Sequence, residues 1–419
     1  MSRKRPVSGR FSLMFRFSSP LLLLPSSFYP PLIEIKFAEF VIGRLYVFLD
    51  VGNDGSVSLN RPLSFSVEKS AHVCASCNGM LLFSYNCSGD NLLSFHVFNI
   101  SAHQYVSLPQ LPYITPRIIT HGLAFDGLHY QVVLVFSSPQ GEEASTSSGS
   151  AGGHGGGGVI EMEIFSSETG KWRHHTTMIP LPPYLPKLST PPLFSNGSIH
   201  WELGGYLLVY NIQSAHSELL QLPNHSQNWS WRSMTFGQCL WESDGRVHYC
   251  YTDYQGIQTW VLMNRQDHDY YSNNYNHDRQ KFKWKLAHTV PHQILLSQNP
   301  DIFLRLGQTH HDFSEWKPYY ISPYASLEDS QIMYLRLPGI FAAYNLRTGT
   351  LKEVCNYSFP NTNFYCCSFF PVVYCQKGNA EMGNIRSDGE RGAVINLPVA
   401  DVLLLCQNSK AKGCSSSDS

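Results

Sequence analysis

The amino-acid sequence predicts an all-β protein, and three properties of the 419-residue chain support this fold class. Only 15% of the residues are charged while 13% are aromatic, a balance that favours half-buried strands over exposed helices. Short apolar runs recur, and each is followed within a few positions by Gly, Pro, Asn or Ser, which is the pattern of strands and turns. Prolines interrupt residues 108–116 and 178–192, so no long helix is expected there.

A turn that ends in Gly, followed by an aliphatic strand, recurs along the chain. Its copies are residues 78–82, 196–201 and 244–249. Asn-Gly and Asp-Gly tolerate positive φ and therefore favour tight hairpin turns. Gly197 and Gly245 lie 48 residues apart, and Gly339 follows Gly245 after 94 residues, close to two such periods. Gly79 and Gly197 lie 118 residues apart, or 100 when the 18-residue Gly/Ser segment between them is left out.

A second phrase, a strand that ends in Asn and runs into a polar turn, recurs in the same way. Its copies are residues 97–109, 209–223 and 343–354, with a variant at 163–172 in which Ser-Ser replaces the Asn. A repeat of roughly 45–50 residues with about four short strands is typical of a β-propeller blade. We therefore predict a β-propeller of four-stranded blades, about six in number, with an incomplete blade as the open alternative.

Neighbouring blades of a propeller cover each other, because one four-stranded blade cannot bury both of its faces. Large aromatic side chains mostly serve cores, so the tryptophans of the repeat are interpreted as packing residues between blades rather than as ligand contacts. These residues are Trp172, Trp201, Trp241 and Trp260.

Composition divides the chain into three parts. Residues 1–69 are interpreted as an irregular N-terminal segment, residues 70–375 as the propeller, and residues 376–419 as a mostly disordered tail. Within the propeller, residues 141–158 are predicted to be a Gly/Ser linker loop, and residues 264–280 a polar loop rich in Asn and Asp.

Charge and hydropathy restrict the partners and the location of the chain. The 30 basic and 31 acidic residues leave no net field that would attract nucleic acid or an anionic membrane. The apolar run at residues 21–24 is shorter than the roughly 7–15 residues of a signal-peptide core. Eleven cysteines without a regular spacing indicate free thiols in a reducing compartment. We expect neither nucleic acid nor membrane as a partner, and a location in the cytoplasm, the nucleus or both.

The residues that could bind a metal or a phosphate lack the spacing that such sites need. Cys74 and Cys77 form a CxxC without a second CxxC or a His pair, so zinc is not expected. Residues 153–158 match GxGxxG, but they follow a Ser-rich loop rather than a strand. The histidine clusters lie in polar sequence with no helix to place ligands one turn apart. They are His310-His311-Asp312, His268-Asp269 and His277-Asp278.

Three further polar residues are interpreted as structural. Asp126 follows Phe125 in a short turn and is expected to cap that turn. His200 and His248 occupy equivalent positions in two repeats, which favours a structural position in each blade. We therefore assign no catalytic, cofactor-binding or metal-binding residue, expect no cofactor, and leave the partner-binding residues unassigned.

Several phrases resemble the F-box-associated, kelch-like β-propeller domain that follows the F-box in plant F-box proteins. They occur in the order of that family, and the resemblance covers roughly residues 70–375. The phrases are SCNGMLLF (76–83), VFNISAHQYVSLP (97–109), GLAFDGLHYQVVLVF (122–136), EIFSSETGKW (163–172), LFSNGSIHW (193–201), LWESDGRVHY (240–249), TWVLMN (259–264), FKWKLAHTV (282–290) and AYNLRTGTLKEV (343–354). The resemblance implies a non-enzymatic protein-interaction module that recognises protein substrates for a cullin-type ubiquitin ligase.

The F-box itself is not recognisable. Prolines in residues 20–37 exclude the helix set of an F-box, so binding of a Skp-type adaptor cannot be assigned to any residue of this chain. Two alternatives stay open at this point. One is a secreted kelch-like propeller enzyme or carbohydrate-binding protein, and the other is a nonfunctional fragment of an F-box gene.

Overall fold

The structure is a computed structural model that describes part of the chain in segments. The described residues are 10–17, 44–51, 57–67, 71–86, 93–99, 102, 104–111, 118–137, 159–178, 190–223, 237–243, 245–264, 282–309, 321–327, 331–338, 340–356, 369–374 and 395–396.

These residues form 25 strands and two short helices. The strands are β1 (Arg10–Phe17), β2 (Arg44–Val51), β3 (Val57–Val67), β4 (Ala71–Cys77), β5 (Met80–Asn86), β6 (Leu93–Asn99), β7 (Gln104–Ser107), β8 (Ile118–Phe125), β9 (Tyr130–Ser137), β10 (Val159–Ser166), β11 (Lys171–Met178), β12 (Leu193–Ser195), β13 (Ser198–Leu203), β14 (Tyr206–Asn211), β15 (His216–Gln221), β16 (Gln238–Ser243), β17 (Arg246–Thr252), β18 (Gly256–Asn264), β19 (Phe282–Pro291), β20 (Ser322–Leu327), β21 (Ile332–Leu337), β22 (Ile340–Asn345), β23 (Leu351–Asn356), β24 (Phe369–Tyr374) and β25 (Ile395–Asn396). The helices are α1 (His292–Gln298) and α2 (Pro300–Thr309). Neither helix is long or apolar enough to span a bilayer.

The strands form antiparallel sheets that follow one another along the chain as propeller blades. Five sheets have four strands, in the orders β11-β10-β9-β8, β12-β13-β14-β15, β16-β17-β18-β19, β20-β21-β22-β23 and β24-β1-β2-β3. The remaining sheet has five strands in the order β25-β7-β6-β5-β4, because β25 adds to its outer edge. The predicted propeller of four-stranded blades is confirmed. About six four-stranded blades were expected, whereas among the described residues five sheets have four strands and the sixth is extended to five by β25.

The first strand of each consecutive sheet lies towards the centre of the molecule. There, β4 contacts β8, β12 contacts β16, and β16 contacts β20. The sheet of β24 and β1–β3 joins the two ends of the chain, with Arg10 opposite Tyr374 and Phe15 opposite Phe369. Its inner strand β24 contacts β4. Strands from both ends of the chain therefore share one sheet beside the first consecutive one.

Strands β1–β3 lie in residues 1–69, which the sequence analysis assigned to an irregular segment. The prolines of residues 18–43 fall between β1 and β2, so they do not interrupt either strand. Pro62 lies in β3, the outermost strand of its sheet, and the pairing of β2 with β3 shifts register nearby. An edge strand tolerates proline because its outer N–H groups have no partner strand.

The predicted Asn-Gly hairpins are present at the first turn of two blades. Asn78 and Gly79 have φ of 45° and 81°, and Asn196 and Gly197 have φ of 49° and 72°. These turns also connect neighbouring blades. The Asn78 amide donates a hydrogen bond to the Phe125 carbonyl at 2.9 Å. The Asn196 amide donates to the Gly245 carbonyl of the next sheet at 2.6 Å.

Gly339 does not belong to this set of turns. It falls between β21 and β22, the second and third strands of their sheet, whereas Gly245 falls between a first and a second strand. The equivalent first turn ends at Gln331, which adopts a φ of 54° without being glycine. The 94 residues from Gly245 to Gly339 therefore separate two connections that are not equivalent, and this interval is not a multiple of the repeat.

In the second phrase, the Asn at the end of the strand caps the turn that follows. This strand is the third of its blade. The side-chain oxygens of Asn99, Asn211 and Asn345 accept hydrogen bonds from backbone N–H groups two or three residues further on, at 2.9–3.0 Å. Asn side chains commonly form such local turns, which explains why this residue recurs at these positions.

The tryptophans pack between blades, as predicted. Trp201 donates from Nε1 to the His121 carbonyl of the preceding sheet at 2.7 Å. Trp172 of β11 donates to the carbonyl of Pro109, which follows β7 of the preceding sheet, at 2.8 Å. Trp241 packs in a core cluster with residues of β21, and Trp260 packs against a cluster that includes residues of β14.

Candidate interaction surface

Asp126 caps its own turn, as the sequence analysis predicted. Its Oδ1 accepts hydrogen bonds from the backbone N–H groups of Leu128 at 2.8 Å and His129 at 2.7 Å. Partial burial raises the pKa of Asp126, but these hydrogen bonds outweigh that effect and hold the pKa below its usual value. The carboxylate is therefore committed to the turn and not to a ligand.

His200 and His248 are buried inside the blades. Burial lowers the pKa of His200 to about 4, although hydrogen bonds to the Leu193 and Ser198 backbone favour the charged form. The Nδ1 of His200 donates to the Leu193 carbonyl at 3.3 Å. His248 stacks on Trp241 with ring centroids 5.2 Å apart. Both residues have the structural positions that their place in the repeat predicted.

The CxxC is also part of the scaffold. Cys77 is buried, and burial raises the pKa of its thiol far above the usual value. Cys74 donates from Sγ to Ser84 Oγ at 3.1 Å. Neither of these cysteines is in a disulfide, and the same holds for Cys239 and Cys250. Burial disfavours the reactive thiolate of Cys77, which makes this thiol inert.

The other candidates of the sequence analysis lie outside the described residues: His268-Asp269, His277-Asp278, His310-His311-Asp312 and the segment 153–158. Within the described segments, no group of three or more His, Cys, Asp or Glu side chains could hold a metal ion.

The two long insertions do not share a face of the propeller. Residues 138–158 join the second and third strands of their sheet, and residues 265–281 join the third and fourth strands of theirs. Successive strands are antiparallel, so these connections leave opposite ends of the sheets. The two insertions are therefore attached at opposite faces of the propeller.

A different surface is formed by α1, α2 and the turn between β17 and β18, which we call the helical rim. The helices join the fourth strand β19 to the first strand of the next sheet, β20, and therefore lie at the same face as the turn at residues 253–255. His292 connects the two. Its backbone N–H donates to the Gln255 carbonyl at 3.0 Å, and its Nε2 donates to the Asp253 carbonyl at 2.8 Å.

Asn299, the residue between the two helices, anchors the helical rim to the propeller. Its side-chain amide donates to the carbonyls of Leu295 at 2.9 Å and Gly349 at 3.0 Å. Its Oδ1 accepts from the Leu351 N–H at 2.6 Å. Because Asn299 is buried, these bonds are shielded from water and fix the helices against the turn that precedes β23.

Two further contacts hold α2. Leu306 is buried in the core cluster that contains Leu351 and Tyr344. Arg305 forms an ion pair with Glu353 of β23, with 3.0 Å between Nη2 and Oε2. One side of the helices is thus packed against the propeller and hydrogen-bonded to it. The backbone that carries the side chains of the other side is therefore fixed in position.

The outer side of the helical rim exposes large apolar side chains. Tyr254 is 72% exposed, Leu304 65% and Ile294 44%. They make up three of the five large hydrophobic residues that are exposed among the described residues, the others being Leu128 and Leu286. Leu128 lies in the turn between β8 and β9 at the opposite face. Concentrations of exposed apolar side chains mark interaction sites in soluble proteins.

This surface is not predicted by the sequence pattern, because its apolar residues resemble those of strands and cores. A signal was nevertheless present in residues 299–301, Asn-Pro-Asp. Proline at the first helical position and an acidic residue in the first turn are typical of a helix start.

Comparison with known proteins identifies the family. The family model described as "F-box protein At3g26010-like, beta-propeller" matches residues 56–300, more than half of the chain. No F-box domain was found. No curated protein matches the chain.

Solved structures show only distant likeness. Apo AztD from Citrobacter koseri is 11% identical over 88% of this chain and 100% of its own, with a TM-score of 0.36. A protein from Lactobacillus plantarum is 8% identical over 86% of this chain and 99% of its own, with a TM-score of 0.36. Oligogalacturonate lyase from Vibrio parahaemolyticus is 8% identical over 77% of this chain and 84% of its own, with a TM-score of 0.32. These likenesses carry no argument about function. The family model covers more than half of the chain, and the chain therefore belongs to the F-box protein At3g26010-like β-propeller family.

Proposed function

We propose that the chain is a non-enzymatic protein-interaction module that binds a protein substrate through its helical rim, as the recognition domain of an F-box subunit of a cullin-type ubiquitin ligase. The observation that carries this proposal is the exposure of Tyr254, Ile294 and Leu304 on one rigidly anchored unit. Membership of an F-box protein family supplies the type of partner.

The chemistry of the helical rim favours binding of another protein. Aromatic and aliphatic side chains that become desolvated supply most of the binding energy at protein interfaces. Because Asn299 and the Arg305–Glu353 pair hold the helices in place, little conformational entropy is lost when a partner binds. Asp126 and His200, which the sequence indicates to be structural, are engaged within the scaffold.

Free thiols at Cys74, Cys77, Cys239 and Cys250 support a location in the cytoplasm, the nucleus or both. A secreted propeller enzyme or carbohydrate-binding protein would require an oxidising compartment, in which free thiols are less common. Binding of a Skp-type adaptor is not assigned to any described residue.

The function can be tested by capturing partners from plant cell extract with the native chain and with Leu304→Arg. Arginine places a charge in the apolar contact, so we expect at least a ten-fold lower recovery of the specific partner, which corresponds to about 1.4 kcal/mol or more. Partners are identified by mass spectrometry, and their ubiquitination is compared in cells with and without the chain.

Leu128→Arg is the matched control, because Leu128 is 71% exposed at the opposite face. It should leave partner recovery unchanged. Equal loss in both variants, or loss in neither, would place the interaction outside the helical rim. Turnover of a small-molecule or carbohydrate substrate by the purified chain would contradict the non-enzymatic function itself.

A further inference from the structure

The outermost strands of the sheets differ in how they are protected from pairing with other chains. An outer strand presents unpaired N–H and C=O groups, and charged residues or proline usually guard it. Such residues occur in β3 (Arg61, Pro62), β11 (Lys171, Arg173), β15 (Glu218), β19 (Lys283, Lys285) and β23 (Lys352, Glu353). Strand β7 has the sequence Gln-Tyr-Val-Ser and contains neither a charge nor a proline.

The same strand is the one to which an additional strand is paired. Ile395 of β25 lies opposite Tyr105, and Asn396 lies opposite Gln104, in antiparallel register. In the part of the chain that the structure describes, the other outer strands end their sheets. Two independent observations, the unguarded sequence of β7 and its pairing with β25, thus indicate the same edge.

Strand β7 itself is well fixed. Val106 is buried, and the ring of Tyr105 lies 5.9 Å from that of His96 on β6. Ser107 Oγ and His96 Nδ1 are 2.9 Å apart, which adds a second contact between the two strands. The edge therefore keeps its shape whether or not β25 is present.

The pairing of β25 is short. It spans two residues, whereas strands in globular proteins usually have three to ten. A segment paired this briefly is held mainly by its tether, which gives it a local concentration on the order of millimolar. A longer strand that pairs with all four residues of β7 would compete with it, because each added residue brings further backbone hydrogen bonds.

We infer that the outer edge of β7 is a strand-addition site, occupied in this chain by β25 and open to exchange with an extended, uncharged segment of a partner protein. The inference deepens the proposed function, on which it rests for the nature of the partner. It assigns a second contact surface, in which the backbone of the incoming segment supplies most of the interaction.

The exchange can be measured with a labelled, uncharged peptide that has the sequence of residues 392–400, GAVINLPVA. Fluorescence anisotropy reports its binding to the full chain and to the variant Ile395→Pro, in which proline removes one N–H of β25 and weakens the internal pairing. We expect Ile395→Pro to bind the peptide at least ten-fold more tightly than the native chain. Hydrogen exchange of residues 104–107 should be faster in the free variant and slow again when the peptide is added.

Two controls make the result specific. Val399→Pro, outside β25, should bind the peptide as the native chain does. A peptide with proline in place of its Ile should bind neither protein. Equal binding to native and Ile395→Pro chains, no binding to either, or binding of the proline peptide would each overturn the strand-addition site. Since the peptide is the chain's own segment, such a failure leaves the proposed function of the helical rim standing.

Discussion

Replacing Trp201 by alanine is expected to lower the free energy of unfolding by about 3–5 kcal/mol, the usual cost of removing a buried Trp side chain. Trp201 is 1% exposed and packs so closely over Gly122 that a Cβ at that glycine would lie 2.6 Å from the indole ring. The substitution would leave a cavity between two blades. It would also remove the hydrogen bond to the His121 carbonyl.

Chemical denaturation followed by circular dichroism measures this effect. Trp172→Ala is the matched control, because Trp172 also hydrogen-bonds across two sheets but is only half-buried. It should cost clearly less than Trp201→Ala. An equal or larger cost at Trp172 would show that the hydrogen bond, and not the buried ring, dominates the contact between blades.

Acidification from pH 6.5 to pH 4 is expected to destabilise the chain through its buried histidines. Burial lowers the pKa of His200 to about 4, while an unfolded histidine keeps a pKa of about 6.5. The unfolded chain therefore binds more protons in this window. The stability that the neutral His200 contributes is complete above pH 6.5 and is lost as the pH falls towards 4. At pH 5 the loss from His200 amounts to roughly 2 kcal/mol.

Other histidines with a lowered pKa act in the same direction, and one buried carboxyl acts against them; the pKa is also lowered, mainly by burial, at His175, His288 and His292. Burial lowers the pKa of His96 and of His121 to about 4. Burial also raises the pKa of Glu202, although hydrogen bonds from Gly205 and Thr190 oppose the shift. The stability that Glu202 contributes is therefore present at low pH and is lost as the pH rises through its pKa.

The measurement is the free energy of unfolding at pH 7, 6 and 5 for the native chain and for His200→Gln. The variant should show a shallower loss, because glutamine does not titrate. His216→Gln, at an exposed position of β15, serves as the control and should keep the native pH dependence. Identical slopes for all three proteins would mean that His200 does not supply the difference in bound protons.

The repeat could be predicted from the sequence because its signals are local. The Asn-Gly hairpin at Asn196 and the capped turn after Asn211 each depend on a few neighbouring residues, so the same letters recur wherever the same turn does. Such signals were sufficient for the fold class, the family and the structural positions of Asp126, His200 and Trp201.

Features that depend on distant contacts were not predictable in this way. Gln331 takes the backbone conformation that glycine has elsewhere, so the turn has no signature in the sequence. The sequence of β1 does not show that it belongs to a blade. This becomes clear only in the structure, where β24, more than 350 residues later, pairs with it. The helical rim contains apolar residues that look like core residues, and only the position of α1 and α2 on the propeller shows which of them face water.

The sheet that combines β24 with β1, β2 and β3 has a consequence for the synthesis of the protein. Domains begin to fold while the ribosome is still adding residues. A nascent chain of 368 residues already contains β1–β23 but lacks β24, so β1 still has one unpaired edge at the centre of the molecule. Until the last strand emerges, that edge is open to other chains in the cell, and a chaperone that covers it would protect the protein at its most vulnerable stage.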